Sequence, residues 1–288
     1  MSRLSDRSHW DFIHAGEQKR FLRRPIHSHT NFKQAVKKLL GQTVLDRMSG
    51  YSDYLLWDVI FPQHFHSMKG AKAVEIGSAP GEFLVKFSEK YGCIPYGIEY
   101  SDIGVKVNRA TFERHGFNPD NVIHTDFFDE AFRKRYFEYF DVVFSKGFIE
   151  HFTDMQPLID RHIDLLKPGG YLLVEIPNMR GLNYPLARFF DKGAIPRHNL
   201  EIMRKDAFRK LFDRKDLEQI ACGYYGTFSF YLFTADESKL AKYSLKACHK
   251  IQPALNLAFR TLLENKRAES ALFSPFLQYI GRKVGHEL

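Results

Sequence analysis

The chain has 288 residues, 44% hydrophobic and 26% charged, with a formal charge of +8. That length allows a substantial core, the composition is typical of globular proteins, and no stretch approaches the apolar length needed to cross a membrane. Three scattered cysteines, Cys93, Cys222 and Cys248, form neither a disulfide framework nor a metal spacing, and Met1 to Trp10 lacks a signal core, so a reduced cytoplasm is expected. The charge is uneven: residues 1–50 hold ten Lys or Arg against four acids, residues 238–288 hold nine against three, and 51–237 stand at −4. Basic flanks on an acidic centre suit an anionic partner at the edge of an active site, and equally suit basic solvated helices.

In chain order, residues 1–30 read as irregular, with His9, Trp10, Phe12, His14 and Phe21 set between charges. Val36, Leu39, Leu40, Val44, Leu45 and Met48 recur at helical spacing and predict a helix from Phe32 to Met48. A second, shorter helix runs from Tyr51 to Ile60, with Pro62 ending it or opening the link to the first strand. Next comes Val74-Glu75-Ile76-Gly77-Ser78-Ala79-Pro80-Gly81-Glu82-Phe83, a buried strand, a small-residue turn and the opening of a helix. Gly77 and Gly81 let a ligand approach the backbone, and helix N–H groups point into the same space. The dinucleotide fingerprint G-x-G-x-x-G needs glycine where the chain has Ala79 and Glu82, and no Gly-Lys-Ser/Thr follows to make a phosphate loop.

Further strands are expected from Ile94 to Ile98, ending in Glu99-Tyr100; from Asn121 to His124, running into Thr125-Asp126-Phe127; from Phe140 to Phe144, followed by Ser145; and up to Val174 after the turn Lys167-Pro168-Gly169-Gly170. Helices near Gly81 to Tyr91, Asp102 to His115, Asp129 to Glu138 and Asp154 to Leu166 alternate with them, which implies parallel pairing with right-handed crossovers. A long connection, Ile176 to Met203, precedes a helix from Arg204 to Phe212 and a closing hairpin of Leu217 to Tyr224 with Thr227 to Phe233. The tail from Ser238 reads as helical with a break at Pro253, and Lys239, Lys242, Lys246 and Lys250 make one basic stripe. That stripe is the wet face of a docked helix, or a weak contact for an anionic surface.

The pattern acidic-x-Gly-x-small-x-Gly at 75–81 resembles motif I of the class I S-adenosylmethionine-dependent methyltransferases, and the later strand ends and turn fall where that family has them over roughly 70–235. Ala79 stands where the family usually has glycine and is small enough for the turn. The resemblance implies an α/β fold: a doubly wound, mostly parallel seven-stranded sheet with an antiparallel closing hairpin, Rossmann-like. It also implies a helical N-terminal lid in 1–68, a cofactor-binding domain at 69–236 with a cap at about 177–203, and a helical C-terminal extension at 237–288. It assigns S-adenosylmethionine to Glu75, Gly77, Ser78, Ala79 and Gly81 of motif I, Glu99 and Tyr100 at the ribose, Asp126 and Phe127 at the adenine, and Ser145 after the fourth strand.

Methyl transfer from a sulfonium asks mainly for alignment, and a hydroxyl acceptor also benefits from a base. His151, in Phe148-Ile149-Glu150-His151-Phe152, and His198 in the cap lie where related enzymes place the acceptor, and each could take a proton or be a structural histidine. The pairs His27-Ser28-His29 and His64-Phe65-His66 lack a third ligand, so no metal is expected. The segment Ser145-Lys146-Gly147-Phe148 differs from the Asn/Asp-Pro-Pro-aromatic run of nucleic-acid amino methyltransferases, and no stable nucleic-acid partner is expected. The expectation is metal-independent O-methylation of a small or medium-sized acceptor, with the basic flanks favouring one that bears an anionic group. RNA or protein methylation, with those flanks holding a polyanion, is the alternative. The sequence leaves the oligomeric state open.

Overall fold

The computed structural model describes residues 3–23, 41–263, 266 and 268–285. The N-terminal part contributes α1 (Arg7–Arg23), α2 (Gln42–Met48) and α3, a continuous helix over 51–64 whose middle turns, Leu55–Ile60, are π-helical. Strands β1 (Lys72–Ile76), β2 (Ile94–Glu99), β3 (Val122–His124), β4 (Phe140–Lys146) and β5 (Leu166–Pro177) follow, linked by α4 (Glu82–Tyr91), α5 (Asp102–Arg114), α6 (Glu130–Arg135) and α7 (Met155–Leu165). The chain continues through α8 (Asn183–Phe190), α9 (Lys205–Lys210), β6 (Leu217–Tyr225), α10 (Lys239–Leu262) and β7 (Phe276–Lys283). All seven strands form one sheet in the order β3-β2-β1-β4-β5-β7-β6. β1 to β5 run parallel, and β7 runs antiparallel to both β5 and β6.

Because successive strand residues face opposite sides, β1 builds two cores. Val74 and Ile76 pack with Val143, Leu172 and Val174 under α7, whereas Ala73 packs with Phe144, Leu84 and Phe87 beneath the aromatic face of α3. Glu75 shares that second face and is 5% exposed. The register pairs Ile76 with both Ile98 and Ser145, so β1, β2 and β4 end at the same level. Their carboxyl ends therefore open on one crevice, as doubly wound sheets require.

Five expectations are corrected. Residues 7–23 are helical, capped where Asp6 Oδ1 accepts from the His9 N–H at 2.9 Å; α1 has no apolar stripe for periodicity to find. The helix over 51–64 passes through Pro62, which follows directly on the π-helical turns Leu55–Ile60 and itself has no N–H to donate. Thr227 to Phe233 is not a strand: it contains a 3-10 turn, Phe230–Leu232, pinned where the Phe230 N–H donates to Gln252 Oε1 at 2.6 Å. The second closing strand comes from the tail as β7, so 237–288 is not wholly helical and part of it lies inside the sheet. Pro253 leaves α10 unbroken, and the lysine stripe lies on its solvent face beside exposed Leu240 and Tyr243. The helix predicted over 32–48 is seen as α2; positions 32–40 and the His27–His29 pair lie outside the described residues. Among the described residues no helix is long and apolar enough to cross a membrane.

Candidate active site

The turn after β1 is held to β2 by backbone: the N–H groups of Gly77 and Ser78 both donate to the Ile98 carbonyl, at 2.9 and 3.1 Å. Gly77 has φ +68°, and a Cβ there would sit 3.1 Å from the Phe148 ring. Behind the turn, Asn108 of α5, fully buried, donates from Nδ2 to Ser78 Oγ. At the end of β2 the Glu99 carboxylate, 3% exposed, is fixed by the N–H groups of Tyr100 (2.9 Å) and Ser101 (2.8 Å) on Oε1, with the Ala79 N–H at 3.4 Å from Oε2. Its negative charge thus arrives at the crevice already oriented.

These groups open on one cavity of about 120 Å³, lined by Gly77, Ala79, Glu99, Tyr100, Asp126 and Phe127 on the cofactor side and by Lys146, Phe148, His151 and Phe152 beyond. Six of the ten residues expected to hold the cofactor therefore meet here. Glu75, Ser78, Gly81 and Ser145 do not line the cavity. Ser78 and Gly81 shape the turn from behind, Glu75 lies under the sheet, and Ser145 faces a smaller pocket beside Glu175 and Gln278. A glycine turn with room above it, two strand-end carboxylates and apolar walls fit an adenosyl group, so these residues could hold it.

The N-terminal segment roofs the cavity with Arg3, Ser5, Trp10 and His14. It is stitched down where the Leu4 N–H donates to the His151 carbonyl at 2.8 Å, and where Arg7 pairs with Asp102 at 3.0 Å. Arg3 reaches Asp126 with two contacts of 2.7 and 2.6 Å, its guanidinium over the rings of Tyr100 and Phe128. The sequence singled out neither Arg3 nor Asn108, because each acts on a partner more than twenty residues away and no local pattern marks it.

At the far end, His151 and His198 lie ring to ring at 4.6 Å, and Trp10 meets His151 edge-on at 4.9 Å. Each imidazole donates its Nδ1–H to a carbonyl, His151 to Arg197 at 2.8 Å and His198 to Ala194 at 2.6 Å. A carbonyl can only accept, so the lone pair of each neutral ring is on Nε2. Burial, reinforced by His198, pushes His151 down to about 3; burial also lowers His198 and raises the neighbouring Glu150 to about 8. His151 lines the cavity and His198 stands behind it.

Under the sheet, Lys146 Nζ pairs with Glu175 at 3.0 Å and the Tyr225 hydroxyl donates to Glu175. Burial raises Glu75 to about 8, against the pull of Lys146 and with reinforcement from Glu175. The native state therefore keeps a proton that the unfolded chain releases from about pH 4.5 upward. Stability falls between that pH and 8 by about 1.4 kcal/mol per unit for this one group. Glu75→Gln should remove that slope: melting measured at pH 5 and pH 8 should show the variant more stable than the parent at pH 8, and an unchanged slope would contradict the buried proton.

The model of the family described as methyltransferase domain matches residues 23–222. No curated protein matches the chain by sequence. Similar solved structures include the MccD protein, at 13% identity over 81% of this chain and 96% of that one with TM-score 0.52. They also include the cyclase SpnF, at 15% over 80% of each chain with TM-score 0.50. A third is the geranyl diphosphate C-methyltransferase of Streptomyces coelicolor A3(2), at 13% over 81% of this chain and 75% of that one with TM-score 0.50. Identities this low establish a shared fold, and that fold serves unlike reactions. The family match spans more than half of the chain: it belongs to the methyltransferase-domain family and is an S-adenosylmethionine-dependent methyltransferase.

Proposed function

We propose that the chain methylates a hydroxyl oxygen of a small or medium-sized metabolite, such as a saccharide, a lipid-linked intermediate or a secondary metabolite, with histidine assistance. When bound, S-adenosylmethionine supplies a methyl group already activated on a sulfonium sulfur. The chain has to align the acceptor, exclude water and ease the loss of the acceptor's proton. One observation carries the reading: a single roofed cavity has Glu99 and Asp126 at one end and, at the other, a histidine anchored through Nδ1. An amine would need only to arrive uncharged, whereas a hydroxyl can be oriented by donating to the Nε2 lone pair of His151, which burial leaves neutral and free to accept. Lys146 and Arg3, the two cations lining the cavity among the described residues, are each paired with a carboxylate. We therefore assign the acceptor's contacts to Trp10, Phe148 and Phe152 rather than to a bound anion.

The test uses methyl-labelled S-adenosylmethionine with a panel of hydroxylated metabolites, and reads the product by mass and carbon NMR. A methoxy carbon is expected; label on nitrogen, on carbon or in added RNA would retire the reading. His151→Ala should lower kcat by about 10²- to 10⁴-fold while leaving the cofactor Kd within about threefold.

A further inference from the structure

Two short segments far apart in sequence converge beside the cavity. The turn Ile149–His151 after β4 brings Glu150 and His151, and the cap brings His198 just beyond its turn Ile195–Arg197. The backbone clamps them together, with the Asn199 N–H donating to the Glu150 carbonyl at 2.7 Å. Glu150 is 1% exposed and its Oε2 has no hydrogen-bond partner. One ligand atom from each of Glu150, His151 and His198 lies within 4.8 Å of the other two.

Glu150 Oε2 is thus a buried acceptor without a partner, a costly arrangement in a folded interior. A proton shared between Glu150 and His151 would resolve part of it, but Oε1 and Nε2 are 3.9 Å apart, too far for a hydrogen bond. Both imidazoles also have the support typical of metal-binding histidines: the distal nitrogen gives its proton to a carbonyl, which fixes the ring and leaves the other lone pair for the ion.

We propose that Glu150, His151 and His198 bind one divalent transition cation, with zinc as the reference ion. Two imidazoles and one carboxylate suit zinc and its neighbours; magnesium and calcium prefer oxygen alone. The ligand atoms draw in to about 3.3 Å apart, the spacing set by metal–ligand bonds of about 2.0–2.1 Å. Three protein ligands leave a position open, and His151 places the cluster against the acceptor side of the cavity. If the acceptor is a hydroxyl, as proposed above, its oxygen would be made more acidic at that open position, and the histidine assistance would then act through the ion rather than through a free imidazole. This last step rests on the proposed O-methylation; the cation site does not.

The test needs neither acceptor nor turnover. Tag-free full-length protein, stripped with chelator, is titrated with Zn²⁺ by calorimetry and with Co²⁺ in the visible range. One ion per chain and a low-symmetry cobalt spectrum are expected. Glu150→Gln and His198→Ala should each weaken binding by about ten- to hundredfold, with S-adenosylmethionine affinity and melting temperature close to the parent's. His66→Ala, at the exposed end of the His-x-His pair, should change nothing. Binding weaker than about 1 mM, or binding unaffected by Glu150→Gln and His198→Ala, overturns the site and leaves a protonated cluster as its replacement. Either result leaves the O-methylation reading to be decided by its own product.

Discussion

Glu99→Ala is expected to weaken S-adenosylmethionine binding by about 10²-fold or more, the largest loss from any single side chain lining the cavity. The carboxylate is held in place by the Tyr100 and Ser101 N–H groups, so it offers its remaining lone pairs without first having to be ordered. Two ribose hydroxyls donating to a charged acceptor are worth about 1.5–3 kcal/mol each, and every 1.4 kcal/mol is tenfold in affinity. Alanine also strips a partner from two backbone donors, which costs about 1–3 kcal/mol of stability, so melting must be read beside binding. Glu99→Gln separates the two effects: it keeps an oxygen for the backbone and loses the charge, and should fall between parent and alanine in Kd with a melting temperature near the parent's. Calorimetry that found the alanine variant folded and binding as tightly as the parent would remove Glu99 from the cofactor site.

The parts of this fold legible in the sequence were those where one local requirement decides the structure. A buried strand running into glycines at positive φ can be little else than the turn at 77–81, and the four later parallel strands announced themselves by apolar runs between helices. β7 escaped because it is an interior strand covered on both faces. Its run Phe276–Lys283 then lacks the alternation of a half-exposed strand, and can be taken for part of a helical tail. Thr227 to Phe233 misled for the opposite reason, since its aromatic residues favour a strand until Gln252 and His249 of α10 take its backbone groups. In the site, motif residues could be placed from spacing alone. The pairing of Arg3 with Asp126, and the meeting of Glu150 with His198, exist only once the chain has folded back on itself.

Gly81→Ala tests whether the turn's conformation, rather than its sequence, holds the cofactor end together. Gly81 has φ +90°, where an L-residue costs about 1–2 kcal/mol. A Cβ there would lie 2.3 Å from Asn108 Oδ1 and 3.4 Å from the Phe112 ring. Asn108 has little room to retreat: it is fully buried and its amide is bonded to Ser78. Overpacking of this kind adds about 1–3 kcal/mol, so the variant should melt roughly 5–15 °C lower and bind S-adenosylmethionine weakly if at all. Gly70→Ala is the matched control, because Gly70 has φ +79° and nothing within 4 Å of a built Cβ; it should show the backbone cost alone. Adding Asn108→Ala to Gly81→Ala should recover part of the lost stability, giving a coupling that independent sites do not show. If Gly81→Ala proves no worse than Gly70→Ala, the buried Asn108 is not what braces the turn, and the shape of the cofactor end must be held by the Gly77 and Ser78 bonds to Ile98 alone.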